Sequence, residues 1–196
     1  MATSASKKLI AVLQMTLDGR SLDSGGRSDW VDSWADGLEL LPSVVAFVLG
    51  AGMFPGYEGF WATMLHDHAS AAEMLGRDPY PREIEYARLA SQTEHLVLSS
   101  TLAEVTWPSA RIVRSIDEIR AFKHDGPGTA YVVGGATLVT SLLEAGLLDE
   151  LRLIVHPILV GAGQGITGVL GSPHRLKLVA TEPSAGERVA LTYRLP

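Results

Sequence analysis

The sequence of 196 residues contains no cysteine. That absence excludes disulfide scaffolds, zinc sites with cysteine ligands, iron–sulfur clusters and thiol nucleophiles. The chain also lacks an apolar run of about 20 residues, the length of a membrane-spanning helix. Its first apolar stretch stops at Gln14, too early for a signal peptide. We therefore expect a cytoplasmic protein that does not bind membranes.

Positive charge is scarce as well, with 16 lysines and arginines against 22 aspartates and glutamates and a net charge of −6. Nucleic acids are bound through basic patches, so no nucleic-acid partner is expected. Hydrophobic residues make up 46% of the chain and charged residues 19%, as in globular domains. A chain of this length is expected to form one domain over residues 1–196.

Short apolar runs alternate with helical patterns along the chain. Strands are predicted at residues 9–15, 44–49, 95–99, 111–113, 129–133 and 151–155, and helices at 57–75, 83–91, 116–122 and 137–145. A further helix, capped by Ser28 or Asp29, is expected to carry Trp30 and Trp34 on one face. The runs 176–181 and 189–195 flank a Pro/Gly turn and predict an antiparallel hairpin. The whole pattern predicts an α/β fold of three α/β/α layers, with a central mixed, mostly parallel sheet that ends in a C-terminal antiparallel hairpin.

Adjacent glycines stand where one predicted strand runs into a helix. The strand at 129–133 leads into Gly134 and Gly135, and the helix follows directly. Free backbone N–H groups at a helix N-terminus attract anions, and glycines let a phosphate approach the backbone. A tight turn without a ligand explains the pattern equally well, because this strand-to-helix turn does not carry the dinucleotide motif G-x-G-x-x-G. Thr137 either offers its hydroxyl to a phosphate or caps the helix.

Two more strand exits carry small or polar residues. Gly50-Ala51-Gly52 follows the strand at 44–49, and a run of three hydroxyl residues begins at Ser99. Ligands of open α/β sheets collect at the carboxyl ends of strands. Two glycine loops in one small domain therefore favour an extended ligand with phosphates.

Five segments follow one another along the chain: Thr16-Leu17-Asp18-Gly19, Gly50-Ala51-Gly52, residues 97–102, residues 132–138 and residues 156–163. In this order they resemble the dihydrofolate-reductase-like proteins related to the C-terminal reductase domain of riboflavin biosynthesis. The resemblance extends from about residue 8 to residue 193. It implies a dihydrofolate-reductase-like fold, NADPH as hydride donor with NADH also possible, a small-molecule substrate and a homodimer. The last of the five segments contains His156-Pro157 and Gly161-Ala162-Gly163.

The resemblance also implies roles for individual residues. Asp18 borders the substrate pocket and is the candidate catalytic acid, with an ordered water as the alternative proton donor. Asp18-Gly19 is also explained as a plain hairpin-type turn with no catalytic role. Relatives of the riboflavin pathway carry polar residues where this chain has Met53-Phe54-Pro55 and Phe60-Trp61, and an apolar wall suits a flat, hydrophobic ring. We therefore expect the substrate to lie under the loop of Leu17 and Asp18, against Trp30, Phe54 and Phe60. The residues implied to bind the cofactor are Gly50, Ala51, Gly52, Ser99, Ser100, Thr101, Gly134, Gly135, Ala136, Thr137 and Leu138.

Three positions depart from the family pattern. Relatives usually carry an arginine where this chain has Ala51 and often a basic residue at Ser100; these cations would face the 2′-phosphate of NADPH. Relatives of the riboflavin pathway also carry an acid where this chain has Val133. A cation from elsewhere could take over the phosphate contact, the candidates being Arg77, Arg82, Arg111 and Arg114.

The sequence thus predicts an NAD(P)H-dependent reductase of a small heteroaromatic, pterin- or pyrimidine-like substrate. Two alternatives stay open: 5-amino-6-(5-phosphoribosylamino)uracil reductase, and a non-catalytic dimeric relative that binds a nucleotide. His66-Asp67-His68 has metal-ligating residue types, but side chains at i and i+2 of a helix point apart. No metal is therefore expected.

Overall fold

The computed structural model describes residues 6–41 and 43–196. Its ten strands are β1 (Lys8–Thr16), β2 (Arg20–Asp23), β3 (Ala46–Gly50), β4 (Glu94–Leu98), β5 (Ala110–Val113), β6 (Thr129–Gly134), β7 (Glu150–His156), β8 (Gly163–Gly165), β9 (Lys177–Ser184) and β10 (Arg188–Arg194). Its α-helices are α1 (Phe54–His66), α2 (His68–Leu75), α3 (Pro81–Gln92), α4 (Ile116–His124) and α5 (Ala136–Glu144), and a 3-10 helix covers Trp34–Leu40.

Eight strands form one sheet in the order β5-β4-β3-β6-β1-β7-β10-β9. All neighbours from β5 to β7 are parallel, whereas β10 runs antiparallel to both β7 and β9. The mixed, mostly parallel sheet and its C-terminal hairpin are therefore confirmed. A separate antiparallel sheet joins β2 to β8. The sequence did not predict this small sheet, because β8 is Gly-Gln-Gly and carries no apolar alternation.

The sheet is covered on both faces, which makes three layers. Leu9 and Ala11 of β1 point into one apolar core, which α4 and α5 complete, while Ile10 and Val12 point into another, which α1 and α3 complete. Successive side chains of a strand face opposite sides of its sheet, so a strand covered on both sides is apolar throughout. The predicted α/β/α architecture is confirmed.

Two helix predictions were wrong in their bounds. Trp30 lies in a turn, and the helix near it is a short 3-10 helix that begins only after Ser33, whose Oγ accepts a hydrogen bond from Ala35 N at 3.2 Å. The helix predicted at 57–75 is split into α1 and α2 at Asp67, which caps α2 by accepting from Ser70 N at 3.0 Å. Helix α1 starts earlier than predicted because Pro55 fits the first turn, where a missing N–H costs nothing.

Capping residues set the ends of the helices nearest the candidate site. Ser115 Oγ accepts from Glu118 N at 3.3 Å at the start of α4, as its spacing predicts. Gly146, with φ +63°, takes the left-handed conformation just after α5. None of the helices in residues 6–41 and 43–196 is long and apolar enough to cross a membrane.

Candidate functional site

A cleft of about 530 Å³ opens at the carboxyl ends of β3 and β4, beside the start of α5. These strands are parallel neighbours, and β6 pairs with β3 on the other side, so their exits meet at one edge of the sheet. A volume of this size suits a small-molecule or cofactor site. The lining residues are Gly50, Ala51, Gly52, Leu98, Ser99, Ser100, Arg114, Ser115, Ile116, Thr137, Leu138 and Ser141.

The glycine turn after β6 leaves backbone N–H groups exposed to a ligand. Gly134 has φ +124°, which L side chains rarely adopt, and a cis peptide bond joins it to Gly135. Gly135 is the N-cap of α5, and no side chain caps the first turn of this helix. A Cβ atom built on Gly135 would meet nothing within 4 Å. The N–H groups of the first turn, including Thr137 and Leu138, therefore form an anion-binding end.

The turn after β3 faces this helix end. Met53 N donates to Gly50 O at 3.0 Å and Ala51 N donates to Leu98 O at 3.1 Å, which fixes the turn against β4. A Cβ on Gly50 would lie 3.8 Å from Leu138 Cβ, whereas one on Gly52 would meet nothing within 4 Å. Because Gly50 and Gly52 have no side chains, the space between the two walls of the cleft stays open.

The hydroxyl residues after β4 divide into different roles. Ser99 is buried, and its Oγ accepts from Thr101 N at 3.2 Å and from Leu102 N at 2.9 Å. Ser99 thus holds its own loop in shape. Ser100 is exposed and lines the cleft, whereas Thr101 lies outside the lining.

Arg114 brings a positive charge to the cleft, and it is the only arginine in its lining. Its Nη1 donates to Ser99 O at 3.1 Å and to Leu102 O at 2.7 Å. Its Nε and Nη2 have no hydrogen-bond partner among the residues that the structure describes. One edge of the guanidinium is therefore anchored on the loop after β4 while the other can meet an anion.

The other arginine candidates pair with carboxylates away from the cleft. Arg77 Nη2 lies 2.9 Å from Glu83 Oε1, Arg82 Nε lies 2.7 Å from Asp36 Oδ1, and Arg111 Nε lies 2.7 Å from Glu94 Oε1. Of the four candidates, the structure places only Arg114 at the cleft.

Asp18 lies in the turn after β1 as a hydrogen-bond acceptor. Its Oδ1 accepts from Thr16 Oγ1 at 2.6 Å and from Val160 N at 3.4 Å, and its Oδ2 accepts from Gly161 N at 2.8 Å. The Thr16 hydroxyl, together with these backbone N–H groups, lowers the pKa of the Asp18 carboxyl. Asp18 is therefore ionised at neutral pH, carries no proton to donate, and ties its turn to the loop after β7.

The four predicted substrate contacts are not brought together at the cleft. Leu17 is 64% exposed in the turn after β1, and Trp30 is half-buried, with an indole N–H that has no partner among the described residues. Phe60 is half-buried edge-on against Trp61, with ring centroids 4.8 Å apart. Phe54 is only 1% exposed, so its ring belongs to the core and not to a substrate wall. Phe54 is buried because α1 begins at this residue and its first turn packs on the sheet.

A polar network at the exits of β1 and β7 was missed. His156 Nε2 lies 2.8 Å from Gln14 Oε1, and Gln14 Nε2 donates to Ser33 O at 2.8 Å. Burial lowers the pKa of His156, so it is neutral at pH 7. Also missed were the cleft residues Ser115, Ile116 and Ser141. The capping pattern at the start of α4 was a signal for Ser115 alone.

Comparison with known proteins gives the family. The model of the RibD C-terminal domain matches residues 7–190. The chain belongs to the RibD C-terminal domain family. A curated relative, the uncharacterized protein YyaP of Bacillus subtilis, is 25% identical over 190 residues, which are 95% of this chain and 94% of YyaP. The resemblance inferred from the sequence motifs is thus confirmed.

Solved structures agree on the fold of this RibD C-terminal domain. A protein named for riboflavin biosynthesis from Shewanella sp. PV-4 has a TM-score of 0.65 and 20% identity, with 96% of this chain and 99% of that chain covered. A dihydrofolate reductase of Enterococcus faecalis, complexed with NADP(H) and RAB-propyl, has a TM-score of 0.60 and 17% identity, with 98% of each chain covered. The predicted dihydrofolate-reductase-like fold is confirmed.

Proposed function

We propose that this protein is an NADPH-dependent reductase that transfers a hydride to a small heteroaromatic ring of pterin or pyrimidine type. Membership of the RibD C-terminal domain family and the dihydrofolate-reductase-like fold support this function. The observation that carries it is the cleft itself, in which the uncapped N-terminus of α5 faces the glycine turn after β3.

The residues of the cleft fit a nicotinamide dinucleotide, which supplies the hydride when it is bound. The first-turn N–H groups of α5 would hold its diphosphate, with Gly134 and Gly135 leaving room for it. Gly50, Ala51 and Gly52 would border the diphosphate from the opposite wall. Further contacts proposed at the adenosine end or along the helix are Ser99, Ser100, Thr101, Ala136, Thr137 and Leu138.

Arg114 supplies the reason to prefer NADPH over NADH. The arginine usual in relatives is Ala51 here, and the second basic position is Ser100, so neither side chain can pair with a 2′-phosphate. The unpaired edge of Arg114 lies in the same cleft and would make a charge-assisted hydrogen bond to that phosphate. NADH lacks this group and gains nothing from Arg114.

On the substrate side, we propose that the reduced ring lies outside the cleft of about 530 Å³ and is bordered by Leu17, Trp30 and Phe60, none of which lines that cleft. Asp18 acts there by holding its turn against the loop after β7, and the proton needed to complete the reduction comes from an ordered water. Small molecules are the proposed partners, with the protein acting as a cytoplasmic homodimer.

The experiment is a titration with NADPH and with NADH, followed through the fluorescence of the four tryptophans. We expect wild type to bind NADPH more tightly, and Arg114→Ala to raise the Kd for NADPH about tenfold without changing that for NADH. Arg111→Ala is the matched control, because Arg111 lies on β5 and pairs with Glu94. No response to either dinucleotide at millimolar concentration would contradict the proposal.

The second candidate function is 5-amino-6-(5-phosphoribosylamino)uracil reductase. One observation favours it: Arg20, just after the turn of Asp18, has a buried Nε without a partner among the described residues and reaches only Gly163 O, at 3.4 Å. A substrate phosphate would satisfy this guanidinium. Oxidation of NADPH by that substrate, with a KM raised in Arg20→Ala, supports this candidate. Binding of NADPH without its oxidation by any pterin, pyrimidine or quinone tested supports a non-catalytic relative.

A further inference from the structure

His156 lies at the end of β7, next to the turn that follows β1. Its register partner on β1 is Thr16, the residue before Leu17 in that turn. Its imidazole contacts the side chain of Gln14, which shares a face of β1 with Val12, on the side of the sheet that carries α1 and α3. Because the reduced ring is proposed to lie against Leu17, His156 stands beside the place proposed for the substrate.

Hydrogen bonds determine which nitrogen of His156 carries the proton. Gln14 Nε2 donates to Ser33 O at 2.8 Å, so Gln14 presents its Oε1 to His156 Nε2, also at 2.8 Å. An amide oxygen only accepts, so His156 Nε2 must carry a hydrogen. Burial lowers the pKa of His156, and a neutral imidazole holds a single ring proton. The Nδ1 atom of His156 therefore keeps a free lone pair.

This lone pair is available to a ligand. His156 Nδ1 has no hydrogen-bond partner among the residues that the structure describes, and it is not sealed by protein atoms, although His156 is only 4% exposed. Three residues before Ser33, the indole Nε1–H of Trp30 is enclosed and likewise has no partner within the described residues. Polar groups that are largely withdrawn from water need a partner. The segment that Gln14 holds thus adds a free donor to the free acceptor of His156.

The carboxylates whose charges reach His156 are paired with arginines. These carboxylates are Asp36 and Asp32. Arg188 Nη1 lies 2.5 Å from Asp36 Oδ2, and Arg82 Nε lies 2.7 Å from Asp36 Oδ1. Arg82 Nη2 also lies 3.2 Å from Asp32 Oδ2. An N–H group that enters beside His156 is therefore expected to meet the imidazole lone pair and not a free carboxylate.

We propose that His156 is a specificity-determining residue whose Nδ1 accepts a hydrogen bond from an N–H group of the substrate ring. The inference rests on the proposed function and sharpens its substrate class. Pterins and pyrimidines with a lactam N–H satisfy the lone pair, whereas a quinone brings only acceptors. A site built around a hydrogen bond discriminates against a ligand that lacks the matching group. Gln14 is the positioning residue, because its Oε1 keeps the proton on Nε2.

Two ring compounds test this recognition. Lumazine carries two ring N–H donors, and 1,3-dimethyllumazine keeps the same ring and oxygens with methyl groups in place of both hydrogens. Titration calorimetry gives the Kd of each, with and without NADPH, so that a failure of the cofactor to bind is seen separately. We expect wild type to bind lumazine about tenfold more tightly than the dimethyl compound. Equal Kd values, or no binding of lumazine, would overturn the proposal.

Two variants of His156 separate recognition from structure. His156→Gln places its amide where Nε2 lies and leaves no acceptor at Nδ1, so the Kd for lumazine should rise about tenfold. His156→Asn places its amide near Nδ1 and should recover part of this loss. The Kd values for 1,3-dimethyllumazine and NADPH should stay unchanged in both variants. Equal weakening of both ring compounds in His156→Gln would mean a structural role only and would overturn the proposal.

The nitrogen signals of the imidazole test the tautomer in the wild-type protein, without any substitution. By ¹⁵N NMR at pH 7, we expect His156 Nδ1 to be unprotonated, and its signal to shift with lumazine but not with 1,3-dimethyllumazine. A protonated Nδ1, or a signal that lumazine leaves in place, would overturn the proposal. Gln14→Leu is expected to give a mixture of both tautomers. A single unchanged tautomer in this variant would overturn the positioning role of Gln14.

Discussion

The two halves of the sheet's carboxyl edge are built differently. At the exits of β3 and β6, the cleft is bounded by the glycine turn after β3 and by the uncapped first turn of α5, and both present backbone groups to it. At the exits of β1 and β7, side chains hold the structure, because Asp18 accepts from Gly161 N and His156 pairs with Gln14. The backbone half presents free N–H groups to the cleft, whereas the side-chain half positions loops.

The largest effect is expected from a negative charge placed in the backbone half. Gly135→Asp would set a carboxylate against the N–H groups of α5 and repel a diphosphate, so the Kd for NADPH should rise about a thousandfold. The fold should persist, because a Cβ at Gly135 meets nothing within 4 Å. Gly59→Asp, on α1 and equally free of neighbours, is the control. Titration calorimetry measures the Kd for NADPH of both variants. An unchanged Kd in Gly135→Asp would show that the diphosphate does not bind in this cleft.

A histidine in the core, away from both halves of this edge, is also held by side-chain hydrogen bonds. His95 is fully buried, stacks on Phe47 at 4.7 Å, and its Nδ1 lies 2.8 Å from Thr93 O, so Nδ1 donates and Nε2 accepts from Tyr57 OH at 3.2 Å. Burial lowers the pKa of His95 to about 4. The unfolded state takes up a proton near pH 6.5, and the folded state does so only near pH 4.

The neutral imidazole of His95 therefore contributes its full stabilisation above pH 6.5. The free energy of unfolding should fall by up to about 3 kcal/mol as the pH drops from 6.5 to 4. Urea unfolding across this range measures the change. His156, whose pKa is also lowered, contributes with the same sign, so His95→Phe should reduce the slope without abolishing it. An unchanged slope in His95→Phe would be incompatible with a neutral buried His95.

The smallest effect is expected at Asp18. Asp18→Asn puts an amide in place of the ionised acceptor, so the amides of Val160 and Gly161 should exchange hydrogen about tenfold faster. Affinity for NADPH should stay unchanged, because Asp18 lies outside the cleft. Hydrogen exchange resolved by NMR measures the amides. Protection equal to wild type would show that Asp18 does not hold the loop after β7.

This difference also explains what could be predicted from sequence. Glycine turns are local signals, so Gly50, Gly52 and the turn at Gly134 could be placed at strand exits without a structure. Asp18 contacts Gly161, and His156 contacts Gln14, across more than a hundred positions of sequence. A local sequence pattern cannot predict contacts between such distant residues. Likewise, four arginines were open as phosphate partners until the fold placed Arg114 at the cleft.

The fold shows the same division between local and distant information. Apolar runs predicted the strands of the large sheet, but β8 lacks such a run and pairs with a distant strand, β2. Phe54 was expected on a substrate wall because apolar residues after the strand at 44–49 suit a flat, hydrophobic ring. Its place in the core depends on where α1 begins, which the first turn with Pro55 decides.

A structure of crystals grown with NADPH would show directly whether the cleft beside α5 binds this dinucleotide. We expect a diphosphate within hydrogen-bond distance of the first-turn N–H groups of α5, including Thr137 and Leu138, and a 2′-phosphate on the free edge of Arg114. A cleft that stays empty at saturating NADPH, or a dinucleotide bound elsewhere on the molecule, would contradict it.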